Sequence, residues 1–281
     1  MTGPDEEDVR ALAAWLVWQA EAGIDATLVE PGGKEEGVAA EAPPAATPPG
    51  GAPAGLDLFG ETARPRGPAP ARVRDVQGEI ADARRIARAC RDLDELRAAL
   101  ERFDACPLAA TATRLCFADG APDAALFLVG EAPGAAEDRL GRPFVGPSGQ
   151  LLDRMLACIG LDRSRVWITN TVFWRPPGNR PPTAAEIAMC LPFLERQIAL
   201  VRPRVLLFLG GLAARVLLGV DEGVTRLRGR EFVYRSDDLP QPIPAWVTYH
   251  PAYLLRQPAQ KRFAWRDLLA VAARLAEGGG V

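Results

Sequence analysis

The feature that most constrains the fold is the regular alternation of short apolar segments with segments of helical periodicity, which begins after Cys106. Four segments have the length and apolar content of buried strands: Ala124–Val129, Val166–Val172, Val205–Leu209 and Ala245–Tyr249. Helical patterns lie between and after these strands, at Gly149–Cys158, Thr183–Val201, Leu212–Leu217 and Lys261–Glu277. This alternation predicts an α/β fold, a three-layer α/β/α domain with a mostly parallel central sheet.

The first hundred residues are organised differently. Asp5–Glu21 has apolar residues at helical spacing, which predicts an N-terminal helix within residues 1–30. Pro31–Ala71 contains nine prolines and eight glycines among 41 residues, so residues 31–71 are predicted to be a disordered linker. Helical spacing returns between Val76 and Phe103, and the main folded domain is predicted to span residues 72–281.

Composition narrows the class of protein. A chain of 281 residues with 48% hydrophobic and 25% charged residues is typical of globular proteins and is long enough for a sizeable core. It has no uninterrupted apolar run of about 18 residues and begins with an acidic segment, so we expect neither a membrane span nor an export signal. Five cysteines do not make a disulfide scaffold, and we expect a monomer in a reducing cytoplasm.

The charge is uneven, because residues 1–100 are net acidic and residues 101–281 are net basic. The basic excess permits a polyanionic partner such as a nucleic acid. Nearly all of this charge is arginine, which a GC-rich genome would also favour, so the charge by itself leaves both interpretations open.

Small and polar residues follow each predicted strand directly. Gly130-Glu131-Ala132-Pro133-Gly134 follows the first, Thr169-Asn170 lies near the end of the second, Gly210-Gly211 ends the third and His250-Pro251 ends the fourth. Since ligands of open α/β sheets bind at the carboxyl ends of the strands, these segments are predicted to line one crevice. His250 is the only histidine, and neither a hydrolase triad nor a zinc-site pattern accompanies it.

Three longer segments resemble the family-four, iron–sulfur type uracil-DNA glycosylases in order and spacing. They read GEAPGAAEDRLGRPFVGPSGQLLDRML, TNTVFWRPPGNRPPT and HPAYLLR, and the resemblance extends from about Cys106 to Asp267. It implies a uracil-DNA glycosylase fold with a central parallel four-stranded sheet. It also implies hydrolysis of the N-glycosidic bond of deoxyuridine in DNA, which leaves an abasic site for base excision repair.

The resemblance also implies roles for the residues at the strand ends. Substrate binding is expected of Gly130, of Phe144 as a stacking platform for a flipped base, and of Asn170 as the reader of the uracil edge. His250 is expected to stabilise the charge that develops on uracil O2. Glu131 and Glu137 are the expected carboxylates near the reacting carbon, where one positions water or stabilises the cationic sugar. Alternatively, Glu137 and Asp138 wall the C5 edge of the base and exclude thymine.

Contacts to DNA are expected from three loops. The helix start at Ser148 and Gly149 offers N–H groups to a phosphate, and Arg175, Asn179 and Arg180 lie in a proline-stiffened segment suited to the backbone. The apolar residues after His250 suit a wedge that replaces the extruded nucleotide, followed by an arginine for phosphate: Tyr253, Leu254, Leu255 and Arg256. Core packing is the alternative for the two leucines.

The sequence departs from this family at the ligands of its [4Fe–4S] cluster. The four cysteine positions read Phe103, Cys106, Trp174 and Cys190, so two of the four thiolates are missing. We predict no metal and no cluster, because large aromatic side chains fill the space of the missing ligands. Cys90 and Cys116 are the remaining stand-ins for the missing thiolates.

A second feature lies in the linker. Gly55-Leu56-Asp57-Leu58-Phe59 resembles the pentapeptide that binds the bacterial sliding clamp, with Gly55 in place of the usual glutamine. A chance match, or packing onto the protein's own surface, is the alternative.

Two other functions remain open from the sequence. The first is a uracil or damaged-DNA binding protein of the same fold that is weakly active or inactive. The second is an enzyme of free nucleotides or nucleosides. The segment Leu227–Phe232 has no histidine, which disfavours a relative that traps DNA covalently.

Overall fold

The computed structural model describes residues 75–277. The predicted N-terminal helix, the linker and the clamp-like pentapeptide lie outside these residues. Within them, a six-stranded sheet has the order β1-β3-β2-β4-β6-β5. The strands are β1 (Asp119–Gly120), β2 (Leu126–Gly130), β3 (Val166–Asn170), β4 (Val205–Leu209), β5 (Glu231–Tyr234) and β6 (Ile243–Thr248).

The four central strands confirm the predicted parallel sheet. β2 pairs in parallel with both β3 and β4, and β4 pairs in parallel with β6. The structure corrects the strand number, because the short strands β1 and β5 add antiparallel edges. The sequence patterns did not predict either edge strand, because β1 has two residues and only one of the four residues of β5 is buried, so neither has the apolar run of a buried strand.

Helices cover both faces of the sheet, as the three-layer prediction requires. They are α1 (Val76–Ala89), α2 (Leu93–Glu101), α3 (Ala135–Leu140), α4 (Pro147–Ala157), α5 (Ala184–Val201), α6 (Gly211–Leu218), α7 (Val224–Leu227), α8 (Pro251–Arg256) and α9 (Lys261–Ala276). Four further single turns are 3₁₀ helices, at Pro107–Ala110, Arg163–Arg165, Pro177–Asn179 and Pro258–Gln260. The helical spacing between Val76 and Phe103 thus belongs to two helices, α1 and α2.

Alternate residues of each central strand enter different cores, which is why these strands are apolar throughout. Phe127 and Val129 of β2 pack in the core that holds α1, α2, α5 and α6. Leu126 and Leu128 pack in the core that holds α4, α8 and α9. The central strands are therefore buried on both faces, and their carboxyl ends form an edge where loops can gather.

The end of β6 is tied to α9 by buried polar contacts. The Thr248 hydroxyl donates to the Asp267 carboxylate at 2.7 Å, and Arg228 forms an ion pair with the same carboxylate. Asp267 is fully buried, so the ion pair and the hydroxyl compensate a charge that would otherwise be costly. This fixes the strand that leads directly into His250. Between Asp75 and Glu277, no helix is both long and apolar enough to cross a bilayer.

Candidate active site

A cavity of about 190 Å³ opens at the carboxyl ends of the central strands. It is smaller than the ~300–1,000 Å³ pockets that hold drug-sized ligands, which suits a single small ring. The residues that line it come from four separate segments: Ala132, Gly134, Glu137, Phe144, Ser148, Asn170, His250 and Ala252. The structure therefore brings the predicted Phe144, Asn170 and His250 into one cavity, together with Glu137 and Ser148.

The pairing of β2 with β3 places Asn170 beside Gly130, since these two residues are register partners. A Cβ at position 130 would lie 2.4 Å from Asn170 Oδ1 and 2.5 Å from the Phe144 ring. Only glycine therefore leaves room for both side chains, and this explains why position 130 is a glycine. Asn170 is 1% exposed, and its Oδ1 has no hydrogen-bond partner among the described residues. Since buried amide oxygens are normally paired, this one is an open acceptor at the cavity wall.

Glu137 is buried at the cavity and accepts three backbone hydrogen bonds. Gly134 N–H donates to Oε2 at 3.1 Å, and the N–H groups of Val145 and Gly146 donate to Oε1 at 2.9 and 2.8 Å. The carboxylate thus joins the loop after β2 to the loop that carries Phe144. Its neighbour Asp138 does not line the cavity, because its carboxylate accepts from Thr113 and from the Arg114 N–H.

Glu131 has a different environment from Glu137. It is half-buried directly after β2 and is not among the residues that line the cavity. Within the described part of the chain, its carboxylate takes part in no hydrogen bond or ion pair, so its oxygens are available. The sequence could not distinguish the roles of Glu131 and Glu137, but their carboxylates differ in hydrogen bonding.

His250 caps the N-terminus of α8, where Pro251 is the first helical residue. Its Nδ1 accepts a hydrogen bond from the Ala252 N–H at 3.1 Å, so in the neutral ring the proton is on Nε2. Burial, aided by the positive charge of Arg256 and opposed by Glu137, lowers the pKa of His250 to about 4. The imidazole is therefore neutral at pH 7 and presents an N–H donor. Its ring centroid lies 5.6 Å from that of Phe144.

Two of the residues predicted to contact DNA are placed elsewhere. Leu254 is fully buried in the core with α4 and α9, so its prediction as a wedge is wrong. Gly149 is also wrong as an anion site, because its N–H donates to the Gly146 carbonyl at 2.9 Å. A Cβ at Gly149 would lie 1.7 Å from the Phe144 carbonyl oxygen, so this glycine serves close packing of the loop.

The other residues after His250 remain at the surface. Leu255 is 42% exposed and Arg256 is exposed, while Tyr253 is half-buried with its ring centroid 5.0 Å from that of Tyr249. Of the two leucines predicted to form the wedge, Leu255 is thus the one that stays accessible to DNA.

Side chains of the proline-stiffened segment that holds Arg175, Asn179 and Arg180 form hydrogen bonds within the protein. Arg180 pairs with the buried Glu186 through two hydrogen bonds, of 2.9 and 2.6 Å, while its side chain remains 41% exposed, so its contact to a phosphate stays a prediction. Glu186 also caps the start of α5 together with Thr183. Arg175 donates to Asn179 Oδ1 at 2.8 Å, and both keep unused donors.

The positions that correspond to cluster ligands do not fit a four-thiolate cluster. Phe103 and Trp174 are 6% and 5% exposed and supply no ligand atom. The Phe103 ring lies 5.1 Å from that of Phe193, so packed aromatics occupy this part of the core. Cys106 and Cys190 are fully buried neighbours. A hydrogen bond from Cys190 lowers the pKa of the Cys106 thiol, and burial raises that of Cys190.

The two stand-in cysteines are engaged elsewhere. Cys90 Sγ donates to the Ile86 carbonyl and Cys116 Sγ to the Glu137 carbonyl, at 3.3 and 3.1 Å. In residues 75–277, no group of three or more histidine, cysteine or acidic side chains is arranged to hold a metal ion.

The sequence placed Ala132 and Gly134 in a segment predicted to line the crevice but gave them no role, and it did not single out Ala252. Ala132, Gly134 and Ala252 line the cavity, and the last two donate backbone hydrogen bonds to Glu137 and His250. Small residues that act through their main chain have no side-chain signature, so only the three-dimensional arrangement could identify them.

Comparisons with known proteins agree with this geometry. Residues 117–269 match the family model described as the Uracil DNA glycosylase superfamily. The chain is 38% identical over 181 residues to a type-4 uracil-DNA glycosylase of Pyrobaculum aerophilum, covering 63% of this chain and 91% of that protein. It is 39% identical over 154 residues to the type-4 uracil-DNA glycosylase of Sulfurisphaera tokodaii, covering 53% and 69%. A similar enzyme of Archaeoglobus fulgidus is 38% identical over 170 residues, covering 59% and 84%.

The neutral state of His250 gives a testable pH dependence. Because the chain has one histidine, its ring resonances in an NMR titration are unambiguous. We expect no titration from about pH 8 to about pH 5.5 and a midpoint near 4, with the proton on Nε2. An unfolded histidine titrates near 6.5, so this group's stabilisation is present above about pH 6.5 and is lost as the pH falls toward 4. A midpoint at or above 6.5 would contradict the neutral assignment.

Proposed function

The chain belongs to the uracil-DNA glycosylase superfamily, and we propose that it hydrolyses the N-glycosidic bond of deoxyuridine in DNA, releasing uracil and leaving an abasic site. The observation that carries this proposal is the buried Oδ1 of Asn170, which has no hydrogen-bond partner within residues 75–277 and lies in the same small cavity as Phe144 and His250. The relatives named above, all type-4 uracil-DNA glycosylases, support the same reaction.

Recognition of uracil follows from the size and polarity of the cavity. A base within a duplex is inaccessible, so the nucleotide leaves the stack and its base enters the cavity against Phe144. The Asn170 amide then accepts from uracil N3–H and donates to O4. Cytosine offers the opposite pattern at these atoms and leaves the amide unpaired, which costs roughly 1–3 kcal/mol or more.

Bond cleavage moves the electron pair of the C1′–N1 bond onto the departing base. The uracil anion carries part of its charge on O2, while the sugar becomes cationic. The neutral imidazole of His250 donates from Nε2 to O2, and this hydrogen bond strengthens as the charge develops. Water then adds to C1′ and releases a proton to solvent, and the uracil anion takes up a proton from solvent, which completes the hydrolysis.

The two carboxylates divide these tasks. The Glu137 oxygens are engaged by three backbone N–H groups, so Glu137 holds the loops in place and adds negative potential near the sugar. Glu131, which has no such partners among the described residues, is the carboxylate that orients the water. Ser148, at the second position of α4, contacts a flanking phosphate in this proposal, since N–H groups at a helix start are suited to anions.

Hydrogen-bond donors in two segments of the chain support the DNA-binding proposal without Leu254. Arg175, Asn179 and Arg256 supply hydrogen-bond donors for phosphates, and Leu255 fills the space that the flipped nucleotide leaves. Tyr253, whose ring packs against that of Tyr249 in a tilted arrangement, supports the helix α8.

A uracil-excision assay tests the proposed reaction. A labelled oligonucleotide with a single uracil should be cleaved at that position after incubation with the protein and treatment with alkali. His250→Ala should lower the single-turnover rate by about 100-fold or more, because one transition-state donor is lost. Asn170→Ala should lower it by at least about 10-fold. An oligonucleotide with thymine in place of uracil is the control.

The assay also separates the alternative functions. An intact uracil oligonucleotide that the protein still binds in preference to the thymine control would select the binding protein. Absence of both excision and preferential binding would contradict the proposed function altogether.

We propose that the protein acts without an iron–sulfur cluster. The support is the donor set, in which Cys106 and Cys190 are the two thiols left at positions where a [4Fe–4S] cluster requires four ligands. Protein purified without oxygen should lack the broad absorbance near ~400 nm and contain far less than one iron per chain. Stoichiometric iron would overturn this proposal.

We also propose that Leu56-Asp57-Leu58-Phe59 binds a sliding clamp, on sequence resemblance alone, since these residues lie outside the described part of the chain. A peptide spanning residues 52–62 should bind the clamp, and the Leu58→Ala/Phe59→Ala peptide should not. Absence of binding at high micromolar concentration would end this proposal.

A further inference from the structure

Phe144, which lines the cavity, has an unusual backbone conformation. Its φ is +53°, in the left-handed region that bulky side chains rarely adopt. Such a conformation costs about 1–3 kcal/mol and persists only where surrounding contacts impose it. The ring is 4% exposed and points toward Gly130 and His250, so the unusual backbone is what aims the ring into the cavity.

Arg163 binds two backbone carbonyls of the loop that carries Phe144. Its Nη1 donates to the Pro143 carbonyl at 3.1 Å, and its Nη2 donates to the Phe144 carbonyl. A guanidinium is suited to this task, because its rigid fork presents several donors in one plane. Arg163 is distant in sequence, in the 3₁₀ turn before β3, and it lines none of the cavity.

The guanidinium is itself oriented by two carboxylates. Nη1 lies 2.7 Å from Asp119 and Nε lies 2.7 Å from Asp153, and the side chain is 21% exposed. These ion pairs restrict the rotation of the Arg163 guanidinium. Its donors therefore point at the two carbonyls, and little further side-chain entropy is lost when the hydrogen bonds form. Glu137 holds the amide side of the same loop through Val145 and Gly146.

We propose that Arg163 is a positioning residue for uracil excision: it fixes the left-handed backbone of Phe144 and thereby the platform on which the flipped base stacks. This inference rests on the proposed function. Arg163 lies outside the cavity and affects the reaction entirely through Phe144. The consequence is that Arg163 matters only while the aromatic ring is present.

Arg142 supplies a matched control. It is an arginine that also pairs with Asp119, at 2.9 Å, but it is exposed and contacts neither carbonyl. Arg163→Met and Arg142→Met therefore each remove one ion pair to Asp119, and only Arg163→Met releases the loop.

The experiment combines a double-mutant cycle with hydrogen exchange in the full chain. Arg163→Met should lower the single-turnover excision rate by roughly 10- to 100-fold, since small misplacements of a binding group have effects of this size. In a Phe144→Ala background the same change should cost less than about 2-fold. Amide exchange of the peptide containing Val145 and Gly146 should accelerate by about 10-fold or more in Arg163→Met but not in Arg142→Met.

Each outcome decides the proposal. Equal rate losses in the wild-type and Phe144→Ala backgrounds would show a general structural effect and overturn it, as would unchanged amide exchange. If Arg163→Met fails to fold, Arg163→Lys keeps a charge beside Asp119 but cannot serve both carbonyls, and the same pattern is expected with smaller amplitude. If wild-type protein excises no uracil, the proposed function fails while hydrogen exchange still tests the loop contact.

Discussion

The parallel pairing of β2 with β3 is the constraint on which the candidate site depends. It places Gly130 opposite Asn170 at the carboxyl ends of two strands that are buried on both faces. Because the strands are fixed by two cores, the Asn170 amide has little freedom to reach another partner, and among the described residues its oxygen stays unpaired at the cavity wall. The absence of a side chain at Gly130 then admits the Phe144 ring.

Preorganisation recurs throughout the site. Glu137 and Arg163 bind opposite edges of the loop that carries Phe144, and Gly149 allows that loop to lie directly against α4. On the other side, the contact of Thr248 with Asp267 fixes the strand that leads to His250. Donors that are held in place before the base arrives need not reorganise as charge develops, which is the main source of electrostatic catalysis.

The sequence located those parts of the fold that depend on continuous apolar runs. Val205–Leu209 was predicted at its observed bounds because every residue of that strand is buried. The wedge prediction for Leu254 was wrong because a helix begins at Pro251, although proline directly after a capping residue is a helix-start signal. The roles of Gly149, Glu137 and Arg163 depend on contacts between segments, which no local pattern encodes.

A crystal structure with DNA that contains 2′-fluoro-deoxyuridine, whose glycosidic bond resists cleavage, would show whether the cavity binds an extruded uracil. We predict that the uracil ring lies against Phe144, that its N3–H and O4 pair with the Asn170 amide, and that its O2 lies within hydrogen-bond distance of His250 Nε2. A base that stays stacked in the DNA, or that enters the cavity without touching both side chains, would contradict this prediction.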